Sequence, residues 1–155
     1  MDLRIENKAA IVTGGSTGVG KAIAQELALN GARVLITARN KDRLEAAANS
    51  IREHTGADVV AVPSDVSASE SPAQLVKEAL TQFGGVDILV NNAGRAHAGG
   101  LMDTTDDDWN DMIGTKINAL VRLCRETIPH MRAGGWGRIV NISSIGGIYS
   151  NPKLL

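Results

Sequence analysis

The chain has 155 residues, enough for one domain with a real core. Sixteen Lys and Arg against 17 Asp and Glu leave a net charge of −1, which gives no general pull toward nucleic acid or an anionic membrane. Aromatic residues at 3% argue against a base-stacking binder, and a single cysteine, Cys124, excludes an internal disulfide and favours a reducing, cytoplasmic setting. No apolar run approaches a membrane span, and the N-terminus lacks the apolar core of a signal peptide.

Short apolar runs alternate with helical patterns along the whole chain. Residues 9–13 read as a first strand. Val19, Ala22, Ile23 and Leu27 follow at helical spacing, up to a stop at Asn30-Gly31. Residues 33–37 form a second strand. A helix on Leu44, Ala47, Ala48 and Ile51 stops near Gly56. Residues 59–62 are a third strand, closed by Pro63. Leu75, Val76, Ala79, Leu80 and Phe83 mark a third helix, ended by Gly84-Gly85. Residues 86–90 are a fourth strand, followed by a glycine-rich loop over 93–100. A long helix is expected from Thr105 to Ala133, opened by a capping box to Asp108 and kinked by Pro129. Its apolar stripe is read as Ile113, Ile117, Leu120, Val121, Cys124, Ile128 and Met131. Residues 138–142 are a fifth strand.

The strands are apolar at nearly every position, as expected when helices cover both faces of a parallel sheet. Strand–helix alternation then gives an α/β, doubly wound sheet whose binding crevice lies at the C-terminal strand ends. After the first strand comes Thr13-Gly14-Gly15-Ser16-Thr17-Gly18-Val19-Gly20. Gly14 permits the sharp turn, Gly18 lets a pyrophosphate approach the backbone, and Gly20 lets helix and strand pack closely. The helix N-terminus offers unpaired N–H groups to the phosphates. The alternative is a glycine-rich turn without a ligand.

The spacing G-x-x-x-G-x-G resembles the short-chain dehydrogenase/reductase family. The resemblance continues in Asp65-Val66, in Asn91-Asn92-Ala93-Gly94, and in Gly137-Arg138-Ile139-Val140-Asn141-Ile142-Ser143-Ser144. It implies a Rossmann-type sheet of order 3-2-1-4-5 over residues 1–155, with the family's C-terminal strands missing. It also implies an NAD(P) site on Gly14, Ser16, Thr17, Gly18, Val19, Gly20, Arg39, Asn40, Asp65, Val66, Asn92, Ala93 and Gly94, and no metal. Asp65 is the family's adenine-side acid. A carbonyl or alcohol substrate is implied, together with a homo-oligomer through the long helix. Ala38 stands where NAD-preferring relatives carry an acid, and Arg39 can pair with a ribose 2′-phosphate, so NADP(H) is favoured and NAD(H) remains possible.

Ser144 matches the family serine that orients the carbonyl oxygen; Ser143 is disfavoured, because successive strand residues face opposite ways. The family's Tyr-x-x-x-Lys begins about a dozen residues beyond that serine, and no such pair falls within the sequence. Tyr149 and Lys153 have the right mutual spacing but lie too close to Ser144, and Pro152 disfavours the helix they need. The family's helix asparagine falls on Lys116, which is either a polar relay group or a flanking lysine whose stem covers apolar surface. Asn118 lies round the helix from it. Cys124 reads as a small core residue. The acids at 103, 106, 107, 108 and 111 suit a helix N-terminus. His54 and His130 lack neighbouring ligands, and His97 either touches substrate or faces solvent. Two functions remain: an NADP-dependent oxidoreductase represented by its cofactor-binding portion, or a nucleotide-binding half-domain without turnover. A methyltransferase sheet is disfavoured, because Ala38-Arg39 supplies no acid for ribose hydroxyls.

Overall fold

A computed structural model of the chain describes residues 3–94, 99–144 and 149. Five parallel strands form one sheet of order β3-β2-β1-β4-β5: β1 Ala9–Thr13, β2 Arg33–Ala38, β3 Val59–Pro63, β4 Ile88–Asn91 and β5 Arg138–Asn141. The fold class and strand order are those expected from the sequence. The helices are α1 Gly18–Leu29, α2 Lys41–Thr55, α3 Ser71–Phe83, α4 Asp106–Ile113 and α5 Ala119–Ala133.

Side chains of β1 alternate between two cores, as the period of a strand requires. Ala10 and Val12 join Val34, Ile36, Ile88 and Val90 beneath α1 and α2. Ala9 and Ile11 join Leu35 and Leu89 beneath α3 and α5, packed on Leu75, Ala79, Phe83 and Leu123. Both faces of the central strands are therefore dry. By contrast, all four residues of the edge strand β5 are exposed.

Register brings polar residues level at the C-terminal end of the sheet. Thr13 lies opposite Thr37, and Asn91 opposite Asn141. Helix caps fix the loops above them. The Asn40 side chain accepts the Arg43 N–H at 2.8 Å and starts α2, while Gly56 ends it at φ 68°. Thr105 and Asp108 form the expected capping box of α4.

The long helix expected from Thr105 to Ala133 is present as one helical run capped by Thr105 and ending at Ala133; its irregularity is a π-helical turn, Gly114–Asn118, between α4 and α5, and Pro129 lies inside α5. The expected apolar stripe is corrected in part: its Met131 is buried and its Cys124 packs against the core beneath α3 and α5. The inward face carries Met112, Ala119, Leu123, Thr127 and Met131, while Ile113, Ile117 and Val121 are exposed. Thr127 can be buried because its hydroxyl donates to the Leu123 carbonyl at 2.8 Å. Fourth-strand pairing starts at Ile88 rather than Val86; just before it, the Asp87 carboxylate accepts from Lys8 Nζ and the Ala9 N–H.

Candidate functional site

The chain leaves β1 through a left-handed Gly14, φ 68°, a conformation that L side chains rarely adopt. The Gly15 N–H donates to the Thr37 carbonyl, seating the turn on β2. At Gly18, φ is 54°, and a Cβ there would meet nothing within 4 Å, so its backbone faces open space. Gly20 is the opposite case. A Cβ there would collide with the Gly14 carbonyl and the Asn92 side-chain amide. Helix and strand thus approach as closely as the three glycines imply. Thr17 caps α1 in an extended conformation and makes no side-chain cap bond.

Asn92 holds this turn from the neighbouring strand. Its side-chain amide donates to the carbonyls of Thr13 at 3.0 Å and Gly14 at 3.3 Å. In return, Thr13 Oγ1 accepts the N–H groups of Asn92 and Ala93, both at 2.9 Å. These bonds tie the ends of β1 and β4 together and brace the floor of the crevice.

At the end of β2, Ala38, Arg39 and Arg43 line the same cleft; Arg39 precedes the Asn40 cap and Arg43 lies in the first turn of α2. Arg39 is exposed and makes no hydrogen bond or ion pair among the described residues. Facing it after β3 is Asp65, whose carboxylate accepts from Ser67 Oγ at 2.7 Å and Ser67 N–H at 3.0 Å. The Ser67 hydroxyl holds the Asp65 carboxyl below its usual range, against the opposing effect of partial burial; the Ser67 N–H and the positive field of Arg39 add to the lowering. Arg122 of α5 donates to the Ser67 carbonyl and ties this loop down.

These segments enclose a cleft of about 470 Å³, a size suited to small-molecule and cofactor sites. The glycine turn contributes Gly14, Ser16, Thr17, Gly18, Val19 and Gly20; the other strand ends contribute Arg39, Asn40, Asp65, Val66, Asn92, Ala93 and Gly94. All thirteen residues expected at a dinucleotide site therefore line one cavity. The sequence reading missed Thr37, Arg43, Ser64 and Thr115, which line it too. Arg43 was legible as a second guanidinium four residues after Arg39. Thr37 is fully buried, and its Oγ1 has no hydrogen-bond partner. A dinucleotide fits these residues: open backbone at Gly18, an uncommitted Thr17 hydroxyl at a helix N-terminus, and two guanidiniums at the far end.

A second cleft, about 590 Å³, adjoins the first and shares Val66, Asn92, Ala93, Gly94 and Thr115 with it. It brings together Ser144, Lys116 and Ser143, with Asn91 and Asn141 at its floor. The Asn91 amide donates to Asn141 Oδ1 at 2.9 Å, and its own Oδ1 is buried without a partner. Lys116 arrives from the π-helical turn with its stem across Gly94, where a Cβ would lie 3.3 Å from the lysine Cγ. Asn118, two residues on, lines neither cleft. Tyr149 is exposed and lines neither cleft, while Lys153 and His97 lie outside the described residues. Cys124 is half-buried against the α3–α5 core. Among the described residues there is no group of three potential metal ligands, and no helix is long and apolar enough to cross a membrane.

Comparison with known proteins agrees with this geometry. The chain is 36% identical over 147 residues to the 3-oxoacyl-[acyl-carrier-protein] reductase FabG of Staphylococcus epidermidis, which covers 94% of this chain and 60% of that protein. The L-sorbose reductase of Gluconobacter frateurii, solved with NADPH and L-sorbose, superposes with a TM-score of 0.91 at 40% identity, over 96% of this chain and 56% of that one. An NAD+-bound xylitol dehydrogenase superposes at 0.90 with 28% identity, over 97% of this chain and 58% of that one. The chain thus spans about three fifths of the length of these relatives. The family model for short chain dehydrogenases matches residues 8–155, and with the sheet order, the glycine turn and the Asn92 brace already in place, the chain belongs to the short-chain dehydrogenase family.

Proposed function

We propose that the chain is the cofactor-binding portion of an NADP-dependent oxidoreductase that interconverts a ketone, of the 3-oxoacyl kind or similar, and a secondary alcohol. The observation that carries the cofactor choice is the pairing of Arg39 and Arg43 in the cleft beside Ala38. A ribose 2′-phosphate suits two guanidiniums, whereas a free 2′-hydroxyl is usually held by an acid at this place. Binding of NADPH by the sorbose reductase supports the same choice. The NAD+-bound xylitol dehydrogenase makes NAD(H) the alternative.

In this reading Gly14, Ser16, Thr17, Gly18, Val19 and Gly20 take the pyrophosphate on the α1 N-terminus. Asp65 and Val66 border the adenine. Asn40 keeps the α2 start in place beside the 2′-phosphate, and Asn92, Ala93 and Gly94 form the passage to the second cleft. Ser144 donates its hydroxyl to the substrate carbonyl oxygen and fixes the carbon that reacts. Lys116 serves the same cleft as a polar group. When bound, the nicotinamide supplies or accepts the hydride. Proton transfer is the work of the family's Tyr-x-x-x-Lys pair, which these residues do not include at the family's distance from Ser144. We therefore expect a polypeptide of these 155 residues alone to bind NADPH without turnover. The single cysteine supports a cytoplasmic location, and the exposed Ile113, Ile117 and Val121 support a homo-oligomer through the α4–α5 helix.

The second reading is a nucleotide-binding module without turnover, in which the exposed strand β5 is covered by a partner. Fluorescence titration with NADPH and NADH tests the cofactor assignment. NADPH binding at least tenfold tighter than NADH is expected; tighter NADH binding overturns it. A panel of ketones assayed with the full-length protein separates the two functions.

A further inference from the structure

We infer that Lys116 makes the second cleft selective for carbonyl compounds that carry an anionic group, such as a carboxylate or phosphate. The inference rests on the oxidoreductase reading and names the substrate class of its site. Four observations support it. Lys116 lines the same cleft as Ser144, the residue assigned to the substrate oxygen. Among the described lining residues, Lys116 carries the only formal charge; the other polar groups there are Asn, Ser and Thr side chains. Lys116 makes no hydrogen bond or ion pair among the described residues, so its charge is not neutralised by a neighbouring carboxylate. Finally, its stem is laid over Gly94, with Cγ and Cε 3.3 and 3.4 Å from where a Cβ would stand, which places the lysine at the mouth shared by the two clefts.

A cation held beside apolar walls formed by Ile117, Leu120 and Leu123 attracts an anion more strongly than one in open water. Lys116 is nevertheless exposed, and solvent screening limits the gain. The expected discrimination is therefore about tenfold rather than thousands. This assigns Lys116 a role beyond relay or packing: it reads the substrate's charge while Ser144 reads its carbonyl.

The test uses acetoacetate and its methyl ester, which share the carbonyl and differ in charge. Each is titrated into the protein while backbone amide shifts of Gly94 and Thr115 are followed, with and without NADPH. Acetoacetate is expected to bind about tenfold more tightly, with the advantage shrinking as salt rises. Lys116→Met, which keeps the apolar stem, should abolish the preference, and Lys116→Arg should keep it. Equal affinity for the two compounds, no shift with either, or an undiminished preference in Lys116→Met overturns the inference. NADPH binding, read separately by its fluorescence, reports on the cofactor reading, so failure of one is distinguishable from failure of the other.

Discussion

Thr13 and Asn92 hold each other by two hydrogen bonds across the sheet, and a third joins Thr13 to Ala93. The Asn92 amide caps the Thr13 carbonyl at 3.0 Å, while Thr13 Oγ1 accepts the N–H groups of Asn92 and Ala93 at 2.9 Å each. Thr13 is buried, so removing its hydroxyl strands two N–H donors with little water to replace it. Thr13→Val, nearly isosteric, should lower stability by about 1–3 kcal/mol, and Thr13→Ser should restore most of it. Urea denaturation measures this. A Thr13→Val protein as stable as the original refutes the brace.

The glycine turn separates two effects that usually travel together. Gly18→Ala meets nothing within 4 Å but must hold φ near 54°, which costs about 1 kcal/mol. Gly20→Ala drives a methyl into the Gly14 carbonyl. Backbone does not yield as a flexible side chain does, so the loss should reach about 1–3 kcal/mol. Both should weaken NADPH binding, Gly18→Ala by covering the phosphate site and Gly20→Ala by deforming it. Thermal melts set beside NADPH titrations distinguish the two. Equal losses of stability contradict the assigned roles.

Strand ends and glycine turns were legible in the sequence because each is set locally, by apolar runs and by residues with special backbone freedom. The face of the long helix was not. Its sequence carries two apolar faces, one through Met112, Leu123 and Met131 and one through Ile113, Ile117 and Val121, and periodicity alone does not say which meets the sheet. Thr127 misled in the same way, since its burial depends on a hydroxyl bond to the preceding turn. The π-helical turn at Gly114–Asn118 also has no local signature in the residues, yet it bears the lysine that enters the second cleft. Arg43 was missed for a simpler reason: it belongs to the next helix and reaches the cleft only because α2 begins directly at Lys41.

The second apolar face should join two copies of the chain. Ile113, Ile117 and Val121 recur every fourth residue and are 44%, 58% and 38% exposed, a stripe that buries naturally against its own symmetry mate. Ile117→Lys with Val121→Lys should shift the protein to a monomer in analytical ultracentrifugation, with its circular dichroism unchanged. An oligomer that survives both changes uses another surface.

Cofactor choice should invert at the end of β2. Arg39→Ala removes one charge-assisted contact to a 2′-phosphate, worth about 1.5–3 kcal/mol, or roughly tenfold to a hundredfold in NADPH affinity. Ala38→Asp in the same protein adds an acceptor for a free 2′-hydroxyl and should raise NADH affinity. If Arg39→Ala leaves NADPH affinity unchanged, Arg43 alone carries the contact or the site prefers NAD.

Asp65 gives the cleft a definite response to acid. The Ser67 hydroxyl, first among the causes, holds its folded-state pKa below the unfolded value of 3.8. A group with a depressed folded pKa stabilises the native state above its unfolded pKa and loses that contribution as pH falls through the folded one. The Asp65–Ser67 turn should therefore stay intact at pH 4 and open only below pH 3.8. Carboxyl carbon NMR should place the Asp65 midpoint under 3.8. Ser67→Ala should move that midpoint upward, because both partial burial and the nearby Asp111 then meet less opposition. Arg39→Ala should move it upward by less, since its field ranks below both Ser67 bonds. A midpoint at or above 3.8 in the unaltered protein, or one that Ser67→Ala does not raise, would show that the serine is not what orders this side of the cleft.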